Sequence, residues 1–151
     1  VILNEARAPQ EMLKALSAYF KGDLDRIGTI PWRVAGTPFQ QKVWNALPRI
    51  PAGTTMSYGA LAAKLDAPNA MRAVGHANGS NPISVVLPCH RLIGANGSLV
   101  KYGGGLERKR WLLAHEGVVL KPALAHLPFP GGGRVDAKRR GGVTVSPPER
   151  T

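Results

Sequence analysis

The sequence predicts an α/β (α+β) domain, mostly helical around a small β-hairpin. Three observations carry that prediction. Apolar residues recur at helical spacing in several separated stretches. Most of those stretches are bounded by capping and stop residues. The strand-like and hairpin signals are confined to one region, between residues 84 and 100. The hydrophobic share of 44% is enough to build a core, and 151 residues fit one domain with a tail.

The first helix is expected over residues 9–21, with Met12, Leu13, Leu16, Tyr19 and Phe20 on one face, Pro9 at its start and Gly22 as its stop. Residues 22–36 read as an irregular connection. Thr37-Pro38-Phe39-Gln40 is a capping box with proline at the first helical position. The helix it opens carries Phe39, Val43, Trp44 and Leu47 as an apolar stripe and ends at Pro48. Ser57 caps a short helix through Leu65, with Leu61, Ala62 and Leu65 inward. After a break at Asp66-Ala67-Pro68, a second short helix runs from Asn69 to Asn78 and closes at Gly79, forming a helix-turn-helix candidate. Met71 and Val74 lie on one side of that second helix, with Ala70 and Ala77 close by. Arg72, Gly75, His76 and Gly79 lie on the other side. Small residues beside a cation suit either close helix packing or an anionic surface such as DNA.

Ser84-Val85-Val86-Leu87 reads as a short buried strand that Pro88 terminates. The only cysteine, Cys89, follows, then His90 and Arg91. A thiol becomes a good nucleophile as thiolate, which a neighbouring base or cation favours. A lone cysteine after an apolar strand is, taken by itself, more often an inert buried thiol. Residues 92–100 read as a hairpin with Asn96-Gly97 at its tip. Tyr102-Gly103-Gly104-Gly105 is a glycine run that lets a backbone approach a ligand or simply turn, and it lacks the lysine of a phosphate-binding loop. Leu106 to Glu116 forms the last helix, with Leu106, Leu112 and Leu113 inward, a basic surface of Arg108, Lys109 and Arg110, and Gly117 as its stop. Beyond residue 121 proline, glycine and arginine dominate, the composition of a disordered basic tail.

The net charge is +11. Residues 1–120 hold 14 basic and 7 acidic side chains, so the excess is not confined to the tail. A polyanionic partner fits this balance, as does a basic surface that binds nothing. One cysteine permits no internal disulfide, and four histidines without cysteine partners argue against a metal. No apolar run approaches a membrane span, and a chain that starts at Val1 is expected to be a fragment or a processed product.

Pro88-Cys89-His90-Arg91, Asn81-Pro82, Tyr58, Arg72, Tyr102-Gly103-Gly104-Gly105-Leu106 and Trp111-Leu112-Leu113-Ala114-His115-Glu116-Gly117 together resemble the O6-alkylguanine-DNA alkyltransferases, from about Gly36 to Gly117. The resemblance implies single-turnover repair: the alkyl group of O6-alkylguanine, and also of O4-alkylthymine, passes from a flipped base to Cys89. It implies His90 as proton acceptor through a water, Glu116 orienting His90, Asn81 linking the recognition helix to the active segment, and Tyr58 beside the leaving base. Arg72 would enter the base stack. Gly75, His76, Gly79 and Arg91 would line the DNA contact. Tyr102, Gly103 and Gly104 would wall the pocket. The implied partner is double-stranded DNA containing alkylated guanine, bound by a cytoplasmic monomer without cofactor, metal or membrane. By the same resemblance, residues 1–35 are the last helix and connector of an N-terminal RNase H-like subdomain that is largely absent, 36–120 the catalytic and DNA-binding domain, and 121–151 the tail. Met71 and Lys101 depart from the family pattern. The rival readings are an alkyltransferase-like protein that binds lesions without transfer, a helix-turn-helix module without chemistry, and a Cys–His hydrolase. Cys89 argues against the first, Glu116 against the second, and the absence of an oxyanion-hole signature against the third.

Overall fold

The computed structural model describes residues 10–100 and 102–120. Among these residues five α-helices and one two-stranded parallel pair are arranged around a main apolar core, with a second core beneath the first helix.

Helix α1 spans Gln10–Phe20, and Gly22 ends it at φ 113°, a conformation that glycine adopts without a Cβ clash. Its inward residues are Ala15 and Tyr19, flanked by Met12 and Leu16. Leu13 and Phe20, expected on the same face, are instead exposed, because the buried stripe is centred one position away. A 3-10 turn at Leu24–Thr29 stands in what reads from sequence as an irregular connection, and it buries Ile27. Helix α2, Pro38–Ala46, opens on the full capping box: the Gln40 backbone N–H donates to the Thr37 hydroxyl, and the Thr37 N–H donates to the Gln40 side chain. Val43, Trp44 and Leu47 are buried, and the Trp44 indole N–H donates to the Ala77 carbonyl at 2.8 Å, 33 residues along the chain.

Strand β1, Met56–Ser57, leads directly into helix α3, Tyr58–Lys64, capped by Ser57. Asp66 turns the chain at φ 59°, and helix α4 runs Met71–Gly79. This is the expected helix-turn-helix, with Leu61 and Ala62 of α3 and Val74 and Ala77 of α4 in the main core. Met71 is not on the buried side but 52% exposed.

The segment Ser84–Leu87 is not a strand. Val85 lies at φ 76°, uncommon for a β-branched residue, and the Leu87 N–H returns to the Ile83 carbonyl at 3.0 Å. Asn81 closes this turn from both sides, donating to the Leu87 carbonyl at 2.7 Å and accepting from the Ile83 N–H at 2.9 Å. Local side-chain hydrogen bonding thus outcompetes strand propensity. Cys89–Arg91 follow as one 3-10 turn.

The expected hairpin also takes another form. Strand β2, Leu92–Ile93, pairs in parallel with β1, with Met56 opposite Leu92 and Ser57 opposite Ile93. The chain beyond β2 only turns, closed by the Gly94 N–H on the Ser98 carbonyl, with Gly97 at φ 87°. Helix α5 spans Leu106–His115, entered from Gly105 at φ 97° and stopped at Gly117 at φ 95°. Its expected basic surface is only partly formed: Arg108 is exposed, but Lys109 and Arg110 are buried. Lys101, Pro9 and the basic tail from residue 121 lie outside the described residues.

Candidate active site and nucleic-acid interface

Cys89 is 4% exposed and sits at the start of the 3-10 turn, below the Asn81-clamped loop. Its carbonyl accepts from the side chain of Asn78 on α4 at 3.2 Å, so α4 and the cysteine turn are joined directly. Burial pushes the Cys89 thiol up. Hydrogen bonds with the Asn81 and Ser84 side chains and the positive charge of Lys109 pull it the other way without overcoming burial.

Behind the cysteine lies a buried polar network centred on Glu116. His90 Nε2 donates to Glu116 Oε2 at 2.9 Å. Arg91 donates through Nε to Oε1 and through Nη2 to Oε2, both at 2.8 Å, and through Nη1 to the Ile50 carbonyl at 2.6 Å. The Tyr19 hydroxyl donates to Oε2 at 2.6 Å. Burial by itself raises the Glu116 pKa. The donors His90 and Arg91 outweigh that and hold the carboxyl at about 2. Burial lowers His90, so the lasting counter-charge is Arg91. With Nε2–H committed to a carboxylate, His90 keeps its lone pair on Nδ1, a buried atom with no hydrogen-bond partner among the described residues.

The family resemblance implies Arg91 on the DNA. The structure instead buries it against Glu116, where the bidentate pairing fixes the carboxylate. Three further residues were not singled out. Lys109 is fully buried, donates to the Val100 carbonyl at 3.1 Å and to the Tyr58 hydroxyl at 3.4 Å, and stands about 6 Å from the centres of the Tyr58 and Tyr102 rings. Desolvation lowers its pKa to about 8, against the pull of Cys89. Asn78 and Tyr19 are the others. The signal available for Lys109 was its position three before Leu112, on the helix face that packs inward.

Tyr58 and Tyr102 flank the cysteine. Burial and the Cys89 charge raise both phenols, Tyr102 to about 12. Gly103 is open, whereas a Cβ on Gly104 would come within 2.9 Å of the Tyr102 ring, so Gly104 leaves room for that ring.

Outside this centre runs a groove of about 950 Å³ lined by Tyr58, Met71, Arg72, Gly75, His76 and Gly79, and on its far wall by the turn 94–98. All four residues expected on the outer face of α4 are there. A Cβ on Gly79 would meet nothing within 4 Å, and one on Gly75 only the Tyr58 ring at 3.9 Å. Internal packing therefore does not require these glycines. Among the described residues no group of His, Cys, Asp and Glu could hold a metal ion, and no helix is long and apolar enough to cross a membrane.

Residues 38–118 match the family described as 6-O-methylguanine DNA methyltransferase, DNA binding domain. The chain is 54% identical over 115 residues to the methylated-DNA–protein-cysteine methyltransferase of Shigella flexneri, covering 76% of this chain and 67% of that protein. The crystal structure of Mycobacterium tuberculosis OGT in complex with DNA superposes with a TM-score of 0.63 at 50% identity, over 71% of this chain and 66% of that one. The structure of Schizosaccharomyces pombe Atl1 with damaged DNA containing O6-carboxymethylguanine superposes at 0.50 and 32% identity, over 57% of this chain and 82% of that one. The chain thus spans about two thirds of the length of the methyltransferases it matches.

Proposed function

The chain belongs to the 6-O-methylguanine DNA methyltransferase family, and on that premise we propose that it repairs DNA by moving the alkyl group of O6-alkylguanine onto Cys89 in one irreversible turnover. The observation that carries this reading is the hydrogen bond between His90 and Glu116, 26 residues apart, which leaves the free Nδ1 of the imidazole buried in the residue next to the only cysteine.

In the proposed reaction His90 Nδ1 takes the thiol proton through a water. The thiolate sulfur forms a bond to the alkyl carbon as the carbon–O6 bond breaks, and the electron pair leaves on the guanine. Tyr58 donates a hydrogen bond or proton to that leaving base, and Lys109 offsets the thiolate charge. Glu116, fixed by Arg91, keeps Nε2 protonated and Nδ1 basic. The product thioether is a poor leaving group, so the thiol is not regenerated.

A base stacked in a duplex cannot reach a buried thiol, so the alkylated nucleotide is flipped at a cost of a few kcal/mol. Arg72, exposed on α4, enters the space left in the stack, and the bare surface of Gly75 and Gly79 lets α4 lie close against the minor groove. Tyr102 with Gly103 and Gly104 forms a wall for the extruded base. O4-alkylthymine presents the same kind of alkyl-oxygen bond and is a second substrate on this chemistry.

The test is made on the DNA. A duplex with one O6-methylguanine, mixed with increasing protein, is digested and its bases separated. O6-methylguanine lost from the digest in a fixed proportion to protein, without further turnover, supports the reading. Lesion binding with O6-methylguanine undiminished refutes transfer.

A further inference from the structure

Tyr19 lies outside the segment that matches the family model, residues 38–118, yet its hydroxyl reaches the centre of the site. It is fully buried and donates at 2.6 Å to Glu116 Oε2, the oxygen that also accepts from His90 Nε2 and Arg91 Nη2. Its own backbone carbonyl accepts from His115 Nε2 at 2.8 Å, so α1 is pinned to α5 beside the carboxylate. The neighbouring Phe20 completes the attachment, with its ring edge-on to Tyr19 and close to Trp111 and His115. A buried phenol needs only some acceptor, and helix ends or loop carbonyls commonly serve. Here the acceptor is the carboxylate that orients His90.

Taking the transfer reaction proposed above as its basis, we infer that Tyr19 is a positioning residue for that reaction: through Glu116 Oε2 it fixes the orientation and the basicity of His90. The charged and titratable groups around this centre come from every packed element: Tyr19 from α1, Cys89 and Arg91 from the 3-10 turn, Tyr102 from the glycine loop, and Lys109 and His115 from α5. Beside His90, Tyr19 and Arg91 are the side chains that donate to Glu116 among the described residues. Removing the hydroxyl leaves more of the Oε2 charge to His90. The imidazole then holds a proton more tightly, and the pH at which it becomes able to accept the thiol proton rises. The carboxylate also loses one of its tethers.

The test compares Tyr19→Phe, which keeps the ring, with Phe20→Ala, which loosens α1 without touching Glu116. Two rates are followed against pH: single-turnover methyl transfer from an O6-methylguanine duplex, and alkylation of Cys89 by iodoacetamide, in which sulfur displaces iodide and needs no DNA. For Tyr19→Phe the acid limb of both profiles moves to higher pH, and the transfer plateau drops about tenfold to a hundredfold, the scale of one lost hydrogen bond to a charged group. DNA affinity stays at the wild-type value. Phe20→Ala lowers the thermal midpoint and leaves both limbs in place. Wild-type limbs and plateau in Tyr19→Phe overturn the inference, as does an equal limb shift in Phe20→Ala, which would make helix docking the cause. A shifted iodoacetamide limb with no methyl transfer, even by the wild type, supports the role of Tyr19 and refutes the DNA reaction.

Discussion

Arg91 and Arg72 are held in opposite ways. Arg91 is buried and spends three of its donors on Glu116 and the Ile50 carbonyl. Arg72 stands exposed on α4, and its side chain has no hydrogen bond to the described residues. The contrast extends to their surroundings. Around Cys89, side chains from α1 and the 3-10 turn converge on one carboxylate at the end of α5, so each supports several others. Along α4, Arg72, Gly75, His76 and Gly79 face open space and depend on little but the helix that carries them. The inner region should therefore couple chemistry to stability, and the outer region should separate them.

The largest effect is expected at the hub. Glu116→Gln removes the charge that orients His90 and leaves Arg91 buried without its counter-ion. The transfer rate should fall by about 10²–10³-fold in single-turnover assays. Stability should fall by about 3–5 kcal/mol in urea denaturation. The same substitution changes the pH dependence. Because the folded pKa of Glu116 is held near 2, below its unfolded value, its contribution to stability is present above about pH 4.5 and is lost as pH falls toward 2. Acid titration of the wild type should show that loss, and Glu116→Gln should lack this component.

Lys109→Met probes the boundary between the two regions. With its pKa near 8, the ammonium loses its proton just above neutrality, so the transfer rate should decline on the alkaline side. The variant should transfer more slowly and lose that decline; a retained decline would assign it to another group. Arg72→Ala should weaken binding to a lesion duplex about tenfold, read by fluorescence anisotropy, while the urea midpoint stays unchanged. A shifted midpoint would erase the distinction drawn here. The smallest effect is expected at Gly75→Ala. Its Cβ meets only ordinary contact, so the helix should gain about 0.5–1 kcal/mol while DNA affinity falls.

The outer region was largely legible in the sequence. Helical periodicity alone puts Arg72, Gly75, His76 and Gly79 on one face, and the capping residues Thr37 and Ser57 mark helix starts that the structure retains. The inner region was not legible from local pattern. Val85 and Val86 favour a strand, but the Asn81 clamp and the Leu87–Ile83 hydrogen bond impose a turn. Leu92 and Ile93 pair with Met56 and Ser57, a parallel register between residues 36 apart that no turn signal announces. Arg91 and Lys109 carry charge, which favours the surface unless partners are known, and their partners are Glu116, Ile50, Val100 and Tyr58. The pairing of His90 with Glu116 came from the family resemblance, and the hydrogen bond from Tyr19 had no sequence signal.

The most direct test of the account follows the protein after reaction. The wild type and Cys89→Ala are incubated with a duplex containing O6-methylguanine, and their intact masses and proteolytic peptides are measured. The account predicts a single gain of about 14 Da, one methyl replacing one hydrogen, on the peptide that contains Cys89, and no gain in the variant, which still binds the duplex. A methyl group on any other residue, or a wild type that binds the lesion and stays unmodified, would contradict it.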